Sequence, residues 1–242
     1  MRLFNFLILL TALITLSETT SAQTRRTTAR QTSTRSQTVS NADISSGLKD
    51  ALFQGVRSAV GELGREEGFF GDTRVKIPLP KSLQKIEKPL RFAGQGKRVD
   101  EFVEAMNRAA ERAVPEATDI FLDSIKQMTF NDARNILFSG QDDAATQFFR
   151  RTSENRLRQK FRPIVEDFTE QVGVTQKYKR MISSYGFLGK IVGQDATDLD
   201  GYVTEKALDG LFLLVADEER KIRRDPIGRT TSILRKVFGI LK

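Results

Sequence analysis

The side chains that could do chemistry in this chain are limited first by three missing residue types. The 242 residues contain no Cys, no His and no Trp. Without thiols the chain cannot form disulfides, iron–sulfur clusters or zinc-thiolate sites. Without imidazoles it cannot form a Ser-His-Asp triad or a His-ligated metal site. An enzyme made from this sequence would depend on carboxylates, lysines, hydroxyls or an oxygen-ligated metal.

One acidic pattern has the spacing of a cation site. The run from Asp198 through Asp200 to Gly201 resembles the middle of an EF-hand loop, in which spaced carboxylates bind calcium. In that alignment Ala196 and Ala207 occupy the first and twelfth positions, where the loop needs acidic ligands. We therefore expect no metal at Asp198 and Asp200. Instead, Asp198 should cap a helix, and Asp200 should interact with the positive end of its dipole.

A second acidic pair, Asp142 and Asp143, follows Gly140 where a helix is predicted to begin. Two carboxylates could bind a divalent cation, or divide acid and base roles if their surroundings separate their pKa values. Adjacent helical residues point about 100° apart, so the two groups do not converge on one atom. Helix capping by Asp142 or Asp143 is the favoured interpretation, and we expect no catalytic, cofactor or metal site here.

The C-terminal region is basic and amphipathic. Its cations include Arg223, Arg224, Arg229, Arg235 and Lys236, and apolar residues recur at helical spacing between them. A basic amphipathic helix can lie on anionic lipid. The alternative is that its apolar side packs on the domain while the charges are solvated.

The N-terminal 22 residues have the pattern of a signal peptide. Arg2 precedes an apolar run over 3–16, and Thr20-Ser21-Ala22 places small residues where a signal peptidase cleaves. The apolar run is about 14 residues, short of the roughly 20 that span a bilayer. We expect cleavage near Ala22 and a periplasmic or secreted mature protein.

Residues 23–40 consist mainly of Thr, Ser, Arg and Gln, and they predict a disordered linker. The linker carries no acid, and its four arginines supply half of the net charge of +8. The remainder, from Asn41 onward, is only mildly basic. With three Tyr and no Trp, little is available to stack on bases, so we expect no nucleic-acid partner.

From Asn41 to the end the apolar spacing is helical almost throughout, and it predicts an all-α domain of about seven to nine helices over 41–242. We expect Gly64 to end the first helix, Pro89 to interrupt a short helix that ends at Lys88, and Asn131 to cap another. The predicted core comprises Phe102, Met106, Phe121, Ile125, Phe148, Phe161, Ile164, Phe168, Leu208, Leu211 and Phe212.

Six stretches carry a family resemblance, in conserved order along nearly the whole predicted domain. They are GFFGDTRVKIPLP (68–80), MNRAAERAVPEA (106–117), ILFSGQDDAATQFF (136–149), FRPIVED (161–167), DLDGYVTEKALDGLF (198–212) and EERKIRRDPIGRTTSILRKVFG (218–239). Together they resemble the bacterial family catalogued as domain of unknown function 4197. The resemblance implies an exported helical protein without an assigned activity, and it transfers no catalytic residue.

Three hypotheses about function follow. The first is a non-catalytic helical domain that binds a protein, an envelope component or a small apolar ligand. The second is a carboxylate-based hydrolase, which would need a cleft with two converging acids of displaced pKa. The third is a basic envelope-surface factor that binds anionic lipid or a polyanion. The missing His and Cys favour the first, without a cofactor.

Overall fold

A computed structural model of the chain describes residues 40–173 and 198–224. Both ranges are helical almost throughout, and neither contains a strand, so the predicted all-α class is confirmed. Seven α-helices lie within these ranges. They are α1 (Asn41–Leu63), α2 (Lys81–Leu90), α3 (Gly96–Ala113), α4 (Ala117–Gln127), α5 (Phe130–Phe138), α6 (Ala144–Gln171) and α7 (Leu199–Arg224). The predicted signal peptide, nearly all of the linker and most of the basic C-terminal region lie outside the described residues.

Two helices begin with reciprocal capping boxes. Ser40, the last residue of the predicted linker, accepts a hydrogen bond from the amide of Asp43, whose carboxylate accepts one from the Ser40 amide. Thr129 and Asp132 repeat this arrangement at the start of α5. The expectation that Asn131 caps this helix is therefore wrong. A hydroxyl and a carboxylate three residues apart satisfy two helix-terminal amides, whereas Asn131 alone could satisfy one.

Two prolines lie inside helices. The prediction that Pro89 ends α2 at Lys88 is wrong, because the helix continues to Leu90, and α6 likewise continues through Pro163. A proline deprives the carbonyl four residues earlier of its partner. Those carbonyls belong to Lys85 and Gln159, which are both exposed. Water can therefore replace the missing bond at each position.

A short turn, Arg91–Gln95, joins α2 to α3. Its backbone leaves helical geometry at Gly94, which has φ 76° and ψ 11°. This left-handed conformation is accessible to glycine without steric cost. The turn buries none of its five residues, so it forms a solvent-exposed end of the α2–α3 pair.

The central helix of the described residues is α7, which packs against α1, α3 and α6. Its exposed positions include a narrow strip at Glu205, Asp209 and Leu213, and most other positions around the helix are buried. A helix that is apolar around most of its circumference belongs inside a domain. Beside it, the Phe121 ring makes edge contacts with the rings of Phe149 and Phe212.

The predicted core is confirmed. Nine of its eleven residues are buried, and the other two, Ile164 and Phe168, are partly buried and packed against the same cluster. Gly64 follows the last residue of α1, as predicted. None of the helices in the described ranges is long and apolar enough to cross a membrane.

Candidate functional site

Asp198 and Asp200, the two aspartates of the EF-hand-like pattern, lie at the start of α7 and form hydrogen bonds there and to α6. Asp198 precedes α7, and its carboxylate accepts a hydrogen bond from the Gly201 amide at 2.9 Å, as expected of a cap. It also pairs with Arg162. Asp200 accepts a hydrogen bond from the Thr169 hydroxyl at 2.7 Å, which ties α7 to the end of α6. Asp198 and Asp200 therefore each connect the start of α7 to α6.

The start of α6 differs from the prediction. Asp143 immediately precedes the helix, but its side chain accepts no hydrogen bond from the amides of the first turn. Its carboxylate accepts a hydrogen bond from the Gln147 side chain instead. The amides of Ala145 and Thr146 instead donate to the carboxylate of Glu219 on α7, both at 2.9 Å. The prediction that Asp142 or Asp143 caps α6 is thus wrong. A residue on another helix supplies the acceptors that the first turn needs.

Glu219 is also paired with a cation. Its side chain is 4% exposed, and the Arg223 guanidinium donates to it at 2.7 Å. The same guanidinium donates to the Ile136 carbonyl at 2.9 Å, near the end of α5. We call Glu219 and Arg223 the α7 clamp, because together they connect α5, α6 and α7. With a side-chain exposure of 19%, Arg223 has little surface left for an anionic partner.

A second buried carboxylate organises the loop between α1 and α2. Glu111 on α3 accepts hydrogen bonds from the amides of Phe69 and Phe70, at 3.0 and 3.1 Å. Arg108 donates to the other oxygen of Glu111 at 2.8 Å, and it also pairs with Glu67 in the loop. These hydrogen bonds raise the pKa of the Arg108 guanidinium above its ordinary value. The carboxylate thereby satisfies amides that lack a regular partner.

The extended segment after this loop is held by a buried amide. The Asn107 side chain accepts a hydrogen bond from the Ile77 amide at 2.8 Å and donates to the Ile77 carbonyl at 2.9 Å. It also donates to the carbonyl of Val103 within α3. Asn107 therefore pairs with this segment as a neighbouring strand would.

The displaced carboxyl pKa values in the described ranges do not indicate acid catalysis. The pKa of Asp72 is lowered by hydrogen bonding to Arg74, and that of Asp132 by the Thr129 hydroxyl. A general acid at neutral pH instead needs a raised pKa. Within these ranges no group of three acidic side chains is placed to hold a metal ion.

A small open cleft lies between α5 and the start of α6. Its lining is largely polar and includes Asp132, Asn135, Gln147 and Arg151. Arg151 lies close enough to contribute to the lowered pKa of Asp132. Ligand sites for apolar molecules are lined mainly by apolar and aromatic side chains. This lining does not suit a small apolar ligand.

The most exposed large apolar side chain in the described ranges is Phe92, in the turn between α2 and α3. It is 97% exposed, compared with 58% for Phe138 on α5, the next most exposed. A phenyl ring has no polar atom to offer water. An aromatic ring with almost no protein contact is therefore a candidate binding group.

The ring continues a line of lysines along the outer face of α2. Lys81, Lys85, Lys88 and Phe92 follow one another at spacings of four, three and four residues, which places them on one face. The lysines are exposed. The opposite face packs into the core through Leu83, Ile86 and Leu90.

The carboxylates near this turn are already paired. Arg91 binds Glu87 at 3.0 Å and Asp100 at 2.6 Å, while Lys97 lies 3.9 Å from Glu101. The Asp100 and Glu87 hydrogen bonds raise the pKa of Arg91, and Arg91 lowers that of Asp100. Residues 81–101 contain four other cations. Among the described residues no carboxylate lies within 4.0 Å of their side-chain nitrogens. These cations are Lys81, Lys85, Lys88 and Arg98. With Phe92 and Lys97, we call them the basic tip.

A family model described as "Protein of unknown function (DUF4197)" matches residues 38–239. The chain belongs to this family. The DUF4197 match covers nearly the whole chain and agrees with the resemblance carried by the six sequence stretches. No curated protein and no solved structure matches the chain. The DUF4197 description assigns no activity, so function must be inferred from the residues themselves.

The basic tip of this DUF4197 chain was not among the sites predicted from the sequence. Its signal was present, because the lysine spacing and the apolar positions of α2 both have helical periodicity. The incorrect break at Pro89 separated the lysines of α2 from Phe92 in the turn that follows. Of the basic residues predicted to contact an anionic surface, Arg224 is exposed at the end of α7. Arg229, Arg235 and Lys236 lie outside the described residues.

Proposed function

We propose that this protein is an exported, non-catalytic helical domain that acts by binding an envelope component through its basic tip. The observation that carries the proposal is the 97% exposure of Phe92 on a face shared with three exposed lysines that pair with no carboxylate among the described residues. Burial of such a ring lowers the free energy of the system, and here only a binding partner can remove the ring from water. The cations beside it favour a partner of negative charge.

The use of buried acids supports a non-catalytic role. Glu111 and Glu219 each accept backbone hydrogen bonds and pair with an arginine. These interactions saturate the groups that a carboxylate-based hydrolase would need free for its substrate. The hydrolase alternative therefore finds no free carboxylate at Glu111 or at Glu219.

Export is part of the same proposal. It is supported by Arg2, the apolar run over 3–16 and the small residues before Gln23. The intact mass of the protein accumulated by cells tests it. A mass equal to that of a chain beginning at Gln23 supports export. Membrane-bound protein whose mass includes Met1 to Ala22 would contradict it.

Binding is tested by sedimenting the protein with envelope membranes from its own cells. We expect Phe92→Ser to reduce the bound fraction severalfold, because the substitution removes the apolar contact. Phe138→Ser is the matched control, since Phe138 is also exposed but lies on α5, away from the basic tip. Equal binding by the wild type and both variants, or no binding by any of them, would exclude the basic tip as the binding surface.

The predicted C-terminal helix is a second contact in this proposal. The positive charges of Arg229, Arg235 and Lys236 would contact the same envelope surface as the basic tip. Reversing the charge of Arg235 and Lys236 together should then weaken sedimentation further in the Phe92→Ser background.

A further inference from the structure

We infer that the partner of the basic tip is an anionic phospholipid bilayer, with Phe92 inserted below the headgroups and the α2 lysines lying among them. This inference rests on the proposed function, because it names the partner of the same surface. It differs from that function in requiring no protein receptor. Three features of the α2–α3 turn favour a bilayer.

The first feature is the shape of the turn. No residue of Arg91–Gln95 is buried, and a Cβ added at Gly94 would have no neighbour within 4 Å. Phe92 therefore projects from a narrow end, without a surrounding apolar surface. A stable protein interface buries about 800 Å² on each partner around a packed centre. A bilayer needs no such packed centre, because insertion of apolar groups at its acyl boundary adds to the attraction between cations and anionic lipid.

The second feature is charge. Residues 81–101 contain six Lys and Arg against three Asp and Glu. The three acids are held by Arg91 or Lys97, which leaves Lys81, Lys85, Lys88 and Arg98 to face solvent. Anionic headgroups attract such cations, and each one near the surface strengthens binding by about fivefold.

The third feature is the support beneath the ring. Arg91 is fixed between Glu87 on α2 and Asp100 on α3, at 3.0 and 2.6 Å. Its guanidinium thus ties the two helices together immediately beside Phe92. Arg91 itself offers little charge to the lipid, because its guanidinium is neutralised by these two carboxylates. The lysines are long enough to keep their ammonium groups among the headgroups while the ring lies deeper.

The absence of Trp allows a direct test. Phe92→Trp introduces a single indole at the projecting position, and Phe138→Trp introduces one at the control position. Each variant, purified in the form that cells accumulate, is mixed with protein-free phosphatidylcholine vesicles with or without phosphatidylglycerol. With the anionic vesicles, we expect the emission of Phe92→Trp to shift to the blue and to be quenched by brominated acyl chains. The Phe138→Trp emission should stay unchanged.

Affinity measurements sharpen this test. Phe92→Ser should weaken binding to anionic vesicles by about tenfold or more, as the loss of a buried phenyl ring predicts. Lys85→Glu with Lys88→Glu should weaken it further and reduce its salt dependence. Lys206→Glu, a reversal on α7, is the charge control because this lysine lies outside the basic tip.

The possible failures are distinguishable. Binding to envelope membranes that depends on Phe92, without binding to protein-free vesicles, would indicate a protein partner. That result would overturn the lipid inference and leave the proposed function intact. Vesicle binding unaffected by Phe92→Ser and by both lysine reversals would overturn the inference as well. Absence of binding to both membranes and vesicles would overturn both proposals.

Discussion

The α7 clamp and the basic tip use charged side chains in opposite surroundings. In the clamp, the Glu219 carboxylate is 4% exposed and is satisfied by two amides, a hydroxyl and a guanidinium. In the tip, Lys85 and Lys88 are exposed and have no carboxylate partner among the described residues. The tip also carries the exposed ring of Phe92.

This difference separates residues that maintain the fold from residues available for binding. Removing a charge from water is costly unless hydrogen bonds and an opposite charge replace the water, as they do around Glu219. Exposed lysines remain hydrated, so the fold gains little from them. A cluster of exposed cations beside an exposed ring therefore marks a surface whose interactions lie outside the chain.

The largest expected effect is on stability, and it is measured by changing Phe to Ala at a buried position and at an exposed one. Phe212→Ala removes a ring that is 1% exposed and contacts Phe121, so it should lower the free energy of unfolding by about 3–5 kcal/mol. Phe92→Ala makes the same chemical change at the exposed turn and should alter that free energy by less than about 0.5 kcal/mol. Urea unfolding followed by circular dichroism measures both. Similar losses for the two variants would mean that Phe92 is part of the core.

A somewhat smaller effect is expected from the α7 clamp. Glu219→Ala leaves Arg223 without its carboxylate and the first amides of α6 without acceptors, so it should destabilise the protein by about 3 kcal/mol. The exposed pair of Lys206 and Asp209 is the control. Asp209→Ala should change stability by less than about 1 kcal/mol.

Thermal unfolding of the two variants at neutral pH compares these interactions. If Glu219→Ala were no more harmful than Asp209→Ala, the clamp would contribute no more than a surface ion pair does. Arg223→Met in the Glu219→Ala background should recover part of the loss, because it removes the uncompensated charge.

The smallest expected effect is a pH dependence at the start of α5. Hydrogen bonding from Thr129 lowers the pKa of Asp132 in the folded state. The carboxylate therefore stabilises the fold above its unfolded-state pKa, and this contribution is lost as the pH falls through the lower folded-state pKa. Asp132→Asn should cost about 0.5–1 kcal/mol at pH 7.

Urea unfolding across the acid range checks this sign. The difference in stability between the wild type and Asp132→Asn should shrink as the pH falls below about 4, because the Asp132 carboxyl is then protonated in the unfolded chain before it is protonated in the folded protein. A difference that grows as the pH falls would contradict the lowered pKa. Lys81→Ala, on the basic tip, should leave the acid limb of the profile unchanged.

Helical periodicity was enough to predict the all-α class and the core, because Phe148 and Phe212 lie on apolar stripes that must be buried. It could not identify Glu219 as the group that caps α6. That bond joins residues separated by 74 positions, whereas rules for capping read only neighbouring residues. The break expected at Pro89 was also wrong, because rules that read neighbouring residues do not show that Lys85, whose carbonyl loses its partner, lies at an exposed position.

The central position of α7 has a consequence for the order in which the chain can fold. Its segment, Leu199–Arg224, is synthesised after α1, α3 and α6, yet all three pack against it. A nascent chain that ends before Leu199 lacks the surface that completes their core, and its α6 lacks Glu219. Early, stable folding is therefore disfavoured until α7 has been synthesised. Such a delay would keep the chain extended enough to be threaded across a membrane, as the proposed export requires.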